Sequence, residues 1–283
     1  MTATLDASRA AAGGVPTAPR PRRGATPFRM PAWALSTIGV VAVLALLEIL
    51  PRVGVTNAKY LPPTSEIAAA LFIHVQNAAF WIALGQTLTT WFTGIAISVI
   101  AALVFGSIIG ASGFLRAATS STVEFLRPIP SVALIPVAVL MYGTTMASTL
   151  LLVVYAAFWQ MFVQVVQGMR DVDPVARDTT RVYRFRIRSV AGRLVFPTVL
   201  PYAVTGFRLA ASIAIILTIT GELIIGTPGV GNLLAVAQTS GAVPSMYALV
   251  FVAGALGVLV NLVARLVERG LLFWHPSIRK EAS

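Results

Sequence analysis

Apolar residues in this chain come in long runs rather than in short alternating stretches, and the runs set its elements. Crossing the ~30 Å hydrocarbon layer of a bilayer takes ~20 helical residues. Six stretches reach about that length: Ala32 to Leu50, Leu84 to Ile109, Ser120 to Met141, Ser148 to Gly168, Pro201 to Ile225 and Tyr247 to Leu266. They predict an all-α membrane protein with about six transmembrane helices, its membrane domain covering residues 32–283. The third run contains Pro128, Pro130 and Pro136, which free backbone carbonyls and predict a bent, cavity-lining helix. Residues 1–31, rich in Ala, Pro, Gly and Arg, lack apolar periodicity and read as a disordered basic cytoplasmic tail. The alternative is a cleavable signal peptide, but the first apolar run starts too late and is too long for one.

Two segments between the runs are more than plain loops. Leu61 to Asn77 opens with Thr64-Ser65-Glu66 and continues with apolar residues at helical spacing, which predicts a short helix at the outer surface. Gly226 to Tyr247 is turn-rich, then apolar and uncharged, and predicts a short re-entrant or surface helix. Either one is suited to contact with an external partner.

Polar positions concentrate between the fourth and fifth runs. From Arg170 to Pro201 the chain holds seven Arg against three Asp. Asp173-Pro174 suits a helix opening, with Asp at the positive end of the dipole and Pro in the first turn. Pro197 and Pro201 mark the start of the next apolar run. Such an insert suggests docking of a soluble partner; the plainer alternative is a loop made basic only to fix topology.

Composition supports the membrane reading. Hydrophobic residues make up 57% and charged residues 11% of the chain, where a soluble domain carries roughly 25% charged residues. The net charge of +11 could point to nucleic acid, but the cations sit between apolar runs, where lipid headgroups and topology account for them. With the N-terminus inside, 18 of the 21 Lys and Arg fall on inner segments. The outer segments hold Arg52 and Lys59, and Arg208 lies in the fifth run. That asymmetry places both termini and the basic insert in the cytoplasm. The chain has no Cys, so disulfides and thiolate chemistry are excluded, and its two His, His74 and His275, are too far apart in sequence to suggest a metal site.

The basic insert resembles the coupling motif of bacterial ABC-importer permeases: Glu-Ala-Ala, three residues, Gly, nine residues, Ile-x-Leu-Pro. Asp178 stands at the Glu, Thr179 and Thr180 at the two Ala, Arg184 at the Gly, Leu194 at the Ile, Phe196 at the Leu and Pro197 at the Pro. The surroundings resemble the nitrate/sulfonate/taurine subfamily more narrowly. They include YLPPTSEIAAAL from Tyr60, LRPIPSVALIPVAVLMYG from Leu126, GMRDVDP from Gly168, LPYAVTGFRLA from Leu200 and GELIIGTPGVGNLL from Gly221. The resemblance runs from about Tyr60 to Trp274, with its motifs in order.

It implies a type I importer permease fold with a cytoplasmic coupling helix in segment 170–197, carried by Asp173, Pro174, Asp178, Thr179, Thr180, Arg184 and Pro197. It also implies a second permease copy or paralogue, two ATP-binding cassette subunits and an extracytoplasmic substrate-binding protein, in a bacterial inner membrane. No Gly-x4-Gly-Lys-Ser/Thr loop is present. ATP and Mg are therefore expected on the partner ATPase, with no cofactor on this chain, which is not itself an enzyme. Gly at a turn supplies a positive φ, so Arg184 there is expected to cost roughly 1 kcal/mol or more, or the turn differs.

Polar residues inside spans are costly and usually face a bundle interior. Gln160, Gln164 and Gln167, spaced i, i+4, i+7 with Tyr155 and Trp159 nearby, either line a path or clasp neighbouring helices. Arg127, Pro128, Pro130 and Arg208 are further candidates for the translocation path. Glu222 is either a gate or a hydrogen-bond partner of the Gly-rich loop beside it. Glu124 and Arg127, three apart, read as a local ion pair, and Glu48 as interfacial. A secondary transporter would need inverted repeats and a buried ion site, and a membrane scaffold would leave the ordered motifs unexplained. The resemblance implies small anions or organosulfur compounds as cargo, or other small organic molecules.

Overall fold

The computed structural model describes residues 32–57 and 59–272, and the regular elements among them are helical. The tail expected over 1–31 and the last eleven residues, 273–283, lie outside the described residues. In chain order the first helices are α1 (Ala32–Arg52), α2 (Thr64–Gln76), α3 (Ala78–Ala111), α4 (Gly113–Leu126), α5 (Ile135–Tyr142) and α6 (Met146–Arg170). There follow α7 (Pro174–Val182), α8 (Ile187–Val190), α9 (Phe196–Ile225), α10 (Val230–Thr239) and α11 (Val243–Leu271). The chain divides into two compact units, Met1–Leu46 and Leu47–Ser283, so that α1 runs from one into the other. Four helical stretches are long and apolar enough to cross a membrane: Ala78–Ala111, Met146–Arg170, Ile187–Ile225 and Val243–Leu271. Counting the bent pair described below gives five.

The core lies along α6, which is packed between α3 and α9. On α3 the buried positions Gly94, Ser98, Ala102, Gly106 and Gly110 recur every fourth residue and form one small-residue stripe. A Cβ added at Gly94, Gly106 or Gly110 would lie 2.5–2.9 Å from side-chain atoms of Val153, Val165 or Met169 on α6. Lipid tails are as apolar as the side chains, so close backbone approach, rather than escape from water, supplies the packing energy here. Trp91 of α3 adds a polar tie, its Nε1 donating to the Ala211 carbonyl of α9 at 3.1 Å.

The third apolar run does not form one helix. After α4 the chain breaks, passes through a 3-10 turn at Ser131–Leu134 and continues in α5, with the two halves bent by 80°. Pro128 and Pro130 lie in the break. Pro136 does not contribute to the bend: it sits in the first turn of α5, where a missing N–H costs nothing. Pro130 cannot donate to the carbonyl four residues back, that of Leu126. This carbonyl instead accepts from the Tyr155 hydroxyl of α6 at 2.5 Å and from Ile129 N at 3.1 Å.

The short helix expected from Thr64 forms as α2. Pro63 occupies the cap position, and no side chain of the segment caps the helix. The acceptor comes from the end of α1. Glu48 takes hydrogen bonds from Ser65 N at 2.9 Å, Thr64 Oγ1 at 2.7 Å and Ser65 Oγ at 2.9 Å, and pairs with Arg52 at 2.5 Å. Thr64 and Ser65 already stand inside the first turn, so an external carboxylate supplies both acceptor and negative charge at the positive helix end.

The fifth run begins earlier than Pro201, which lies within α9. Its helical backbone is continuous from Ile187 to Ile225, with a π turn at Ala191–Val195 just before Pro197. The predicted segment after Gly226 becomes α10, packed against α9, α11 and α3.

Candidate functional site

The basic insert folds into a short helix, a tight turn and the start of the long α8–α9 rod. Asp173 caps α7, its Oδ1 accepting from Val175 N at 2.8 Å, and Pro174 occupies the first turn. Asp178 does not cap; it pairs with Arg181 at 3.1 Å, both side chains exposed. The helix closes with Phe185 N donating to Thr180 O at 3.0 Å and Arg184 N to Arg181 O at 3.1 Å. That pair of bonds is the Schellman closure, whose left-handed position is usually Gly. Arg184 holds it at φ +50°, the one non-Gly residue with positive φ among the described residues. The turn therefore keeps the geometry a glycine would give, and Arg carries the strain. Val175, Val182, Tyr183, Phe185 and Ile187 on this segment are 55–86% exposed.

Three motif segments tie this insert to the bundle. A Cβ at Gly168 would press on the Tyr202 ring at 3.0 Å, and the Tyr202 hydroxyl donates to Asp171 at 2.9 Å. Gly206 packs against Gln164 and Met161, and Gly221 against Thr149. These contacts join α6 to α9 along their length.

The intramembrane candidates do not share one surface. Gln164 lines a cavity of ≈ 580 Å³ with Asp171, Pro197, Tyr202 and Glu268, whereas Gln167 lines a different one of ≈ 570 Å³ with Arg116, Glu124, Arg127 and Arg170. The expected single stripe is thus divided: Gln164 faces the cavity beside α9, and Gln167 the one between the ends of α3, α4 and α6. The Gln160 side chain makes no hydrogen bond to another described residue. Tyr155 is committed to the α4 break, and Trp159 sits edge-on to Tyr155, Phe158 and Phe162, with its buried Nε1 lacking a partner among the described residues. Arg208 pairs with Glu268 at 3.3 Å, joining α9 to α11. The expected Glu124–Arg127 ion pair does not form: both exposed side chains line one cavity at the end of α4, but they do not close to ion-pair distance.

At the other end of α9, Glu222 is completely buried. Its Oε2 accepts from the Thr87 hydroxyl of α3 at 2.9 Å and from Gly231 N at 3.0 Å. Thr87 in turn accepts from Val230 N at 2.9 Å, and Thr149 and Thr227 bond to each other at 2.8 Å. Gly229, at φ +158°, and Gly231 lie so close that a Cβ at either would collide with Glu222. The carboxylate is therefore the clasp that holds the Gly-rich loop and α10 onto α3 and α9. Thr87, Asp171 and the α3 stripe were not singled out in the sequence; of these, only the stripe carries a periodic signal that could have revealed it.

Residues 102–272 match the family described as binding-protein-dependent transport system inner membrane component. The chain is 26% identical over 254 residues to a putative aliphatic sulfonates transport permease, SsuC, of Bacillus subtilis, covering 87% of this chain and 89% of that one. It is 26% identical over 258 residues to the taurine transport system permease TauC of Escherichia coli, covering 87% and 94%. To the bicarbonate transport system permease CmpB of Synechococcus elongatus it is 23% identical over 271 residues, covering 89% and 96%. Among solved structures, a chain of the MetNI methionine ABC transporter in inward-facing conformations superposes with a TM-score of 0.58 at 15% identity, covering 68% of this chain and 96% of that one. The bent α4–α5 pair, the capped insert and the Gly-rich clasp thus lie on a type I importer permease fold. The chain belongs to the binding-protein-dependent inner membrane component family, as a multi-pass ABC importer permease of the nitrate, sulfonate and taurine type.

Proposed function

We propose that the chain is one half of the translocation unit of an ATP-driven importer, completed by a second copy or a paralogue. An external binding protein delivers a small oxyanion, sulfonate-like or other small organic solute, and two separate ATPase subunits, carrying ATP and Mg, dock on α7 and the turn after it. The observation that carries this reading is the closed, exposed geometry of that turn. Asp173 fixes one end, Arg184 holds the left-handed position at the other, and apolar Val182, Tyr183, Phe185 and Ile187 stand exposed among arginines. An exposed apolar patch with a charged rim is what a protein partner covers. The names of the relatives support a sulfonate, taurine or bicarbonate class of cargo. Trp159 and Gln160, half-buried on α6 and without hydrogen-bond partners among the described residues, are the residues best suited to face the path.

The test is co-purification of the tagged full-length chain from its native membrane in mild detergent. Val182→Asp combined with Ile187→Asp should abolish recovery of the ATPase subunit while leaving helical content and the permease oligomer intact. Undiminished ATPase recovery with that variant would sink the docking assignment.

A further inference from the structure

Three guanidiniums from distant places in the chain converge on one cavity at the end of the bundle that carries α7. Arg116 comes from the start of α4, Arg127 from the residue that ends it and Arg170 from the last turn of α6; with Glu124 and Gln167 they line a space of ≈ 570 Å³. The ion pairs among the described residues lie elsewhere, at Glu48–Arg52, Asp178–Arg181 and Arg208–Glu268. Arg116 donates to the Gly110 carbonyl, whereas Arg127 and Arg170 make no side-chain hydrogen bond to another described residue. One carboxylate facing three guanidiniums leaves two positive charges without a counter-charge in the protein. Arg127 and Arg170 are exposed, so water screens part of their repulsion, and an anion bound between them would relieve the rest.

The rest of the lining says which kind of anion. Ile109, Val123, Phe162, Val163 and Val166 form an apolar wall beside the cations. Ile109 belongs to the last turn of α3, which ends at Ala111, and α6 ends at Arg170, so the cavity lies where two apolar spans finish. Phosphates of a bilayer lie at that level, directly above acyl chains. A free inorganic anion would use the guanidiniums and ignore the wall; a phospholipid uses both. We propose that this cavity binds an anionic phospholipid, with its phosphodiester on Arg127 and Arg170 and its acyl chain along the Phe162–Val166 wall. The site depends on the chain being a multi-pass membrane protein, and is independent of what the importer carries and of where the ATPase docks.

The experiment is native mass spectrometry of the full-length chain, purified with the subunits that accompany it. The protein is titrated in turn with phosphatidylglycerol, zwitterionic phosphatidylcholine and inorganic phosphate. Retention of phosphatidylglycerol alone is expected. Arg127→Gln with Arg170→Gln should weaken it on the order of thirty-fold, at about 1 kcal/mol per cation and 1.4 kcal/mol per tenfold. Arg265→Gln with Arg269→Gln removes the same charge from the end of α11 and should change retention by less than about threefold. Glu124→Gln should tighten it, a gain that loss of fold cannot mimic. Equal weakening by the two arginine pairs, or no gain with Glu124→Gln, would overturn the site. Retention of inorganic phosphate as strong as that of lipid would show a soluble anion as the occupant and overturn the lipid assignment.

Discussion

Two residues do unusual work for their type. Arg184 occupies a left-handed turn position at φ +50°, where a Cβ costs roughly 1 kcal/mol relative to Gly. Arg184→Gly should therefore raise the chain's unfolding free energy by about 1 kcal/mol, read by denaturant melts in detergent. If the guanidinium also touches the ATPase, the same variant should hold that subunit less firmly. A variant less stable than the parent would show that the turn is not strained. Glu222 is a carboxylate at 0% exposure between two helices and a Gly-rich loop. Glu222→Gln keeps an acceptor for Thr87 and Gly231 and should cost no more than about 1 kcal/mol. Gly229→Ala forces a methyl group into the carboxylate and should cost about 2–3 kcal/mol. Glu222→Ala, which leaves buried donors orphaned and a cavity behind, should cost about 3 kcal/mol or more. Thermal melts of the three variants should rank in that order; a Glu222→Gln variant as unstable as Glu222→Ala would show that the charge, not the clasp, matters.

At the scale of elements, the bend between α4 and α5 is held by a partner as well as by its prolines. Pro130 strips the Leu126 carbonyl of its helical donor, and the Tyr155 hydroxyl replaces it at 2.5 Å. Tyr155→Phe should cost about 1 kcal/mol in denaturant melts and slow solute uptake by vesicles that carry the assembled importer. Unchanged stability would mean that Ile129 N alone satisfies that carbonyl. These contacts also mark how far the sequence could be read. The long runs gave α3, α6, α9 and α11, because spanning lipid demands length and apolarity, both visible in one dimension. The prolines announced a bend but not which of them makes it, since Pro136 reads the same whether it breaks a helix or opens one. The start of α2 was legible, but the acceptor at its opening was not, because Glu48 lies 16 residues upstream. Gln160, Gln164 and Gln167 share a helical face, yet Gln164 and Gln167 line separate cavities and Gln160 lines neither of these. Partners across helices are what spacing along a chain does not encode.

For the molecule as a whole, the charge asymmetry makes a claim that can be tested with unusual economy. The chain contains no Cys, so single-Cys variants need no background removed. Tyr183→Cys in the turn after α7 and Ser240→Cys after α10 should be labelled from opposite sides of the membrane by an impermeant maleimide. Ser240→Cys should react in intact cells and Tyr183→Cys only in inverted vesicles; the swapped pattern would reverse the orientation, and labelling of both from one side would overturn their placement on opposite faces. The continuous α8–α9 backbone then has a mechanical consequence. Ile187 and Glu222 stand about 52 Å apart along one rod at 1.5 Å per residue. A tilt of about 5° at the Ile187 end would sweep the far end through about 5 Å, enough to strain a clasp built on hydrogen bonds of about 3 Å. The π turn at Ala191–Val195 would then set how much of such a stroke is delivered, as the compliance in a lever that spans the bilayer.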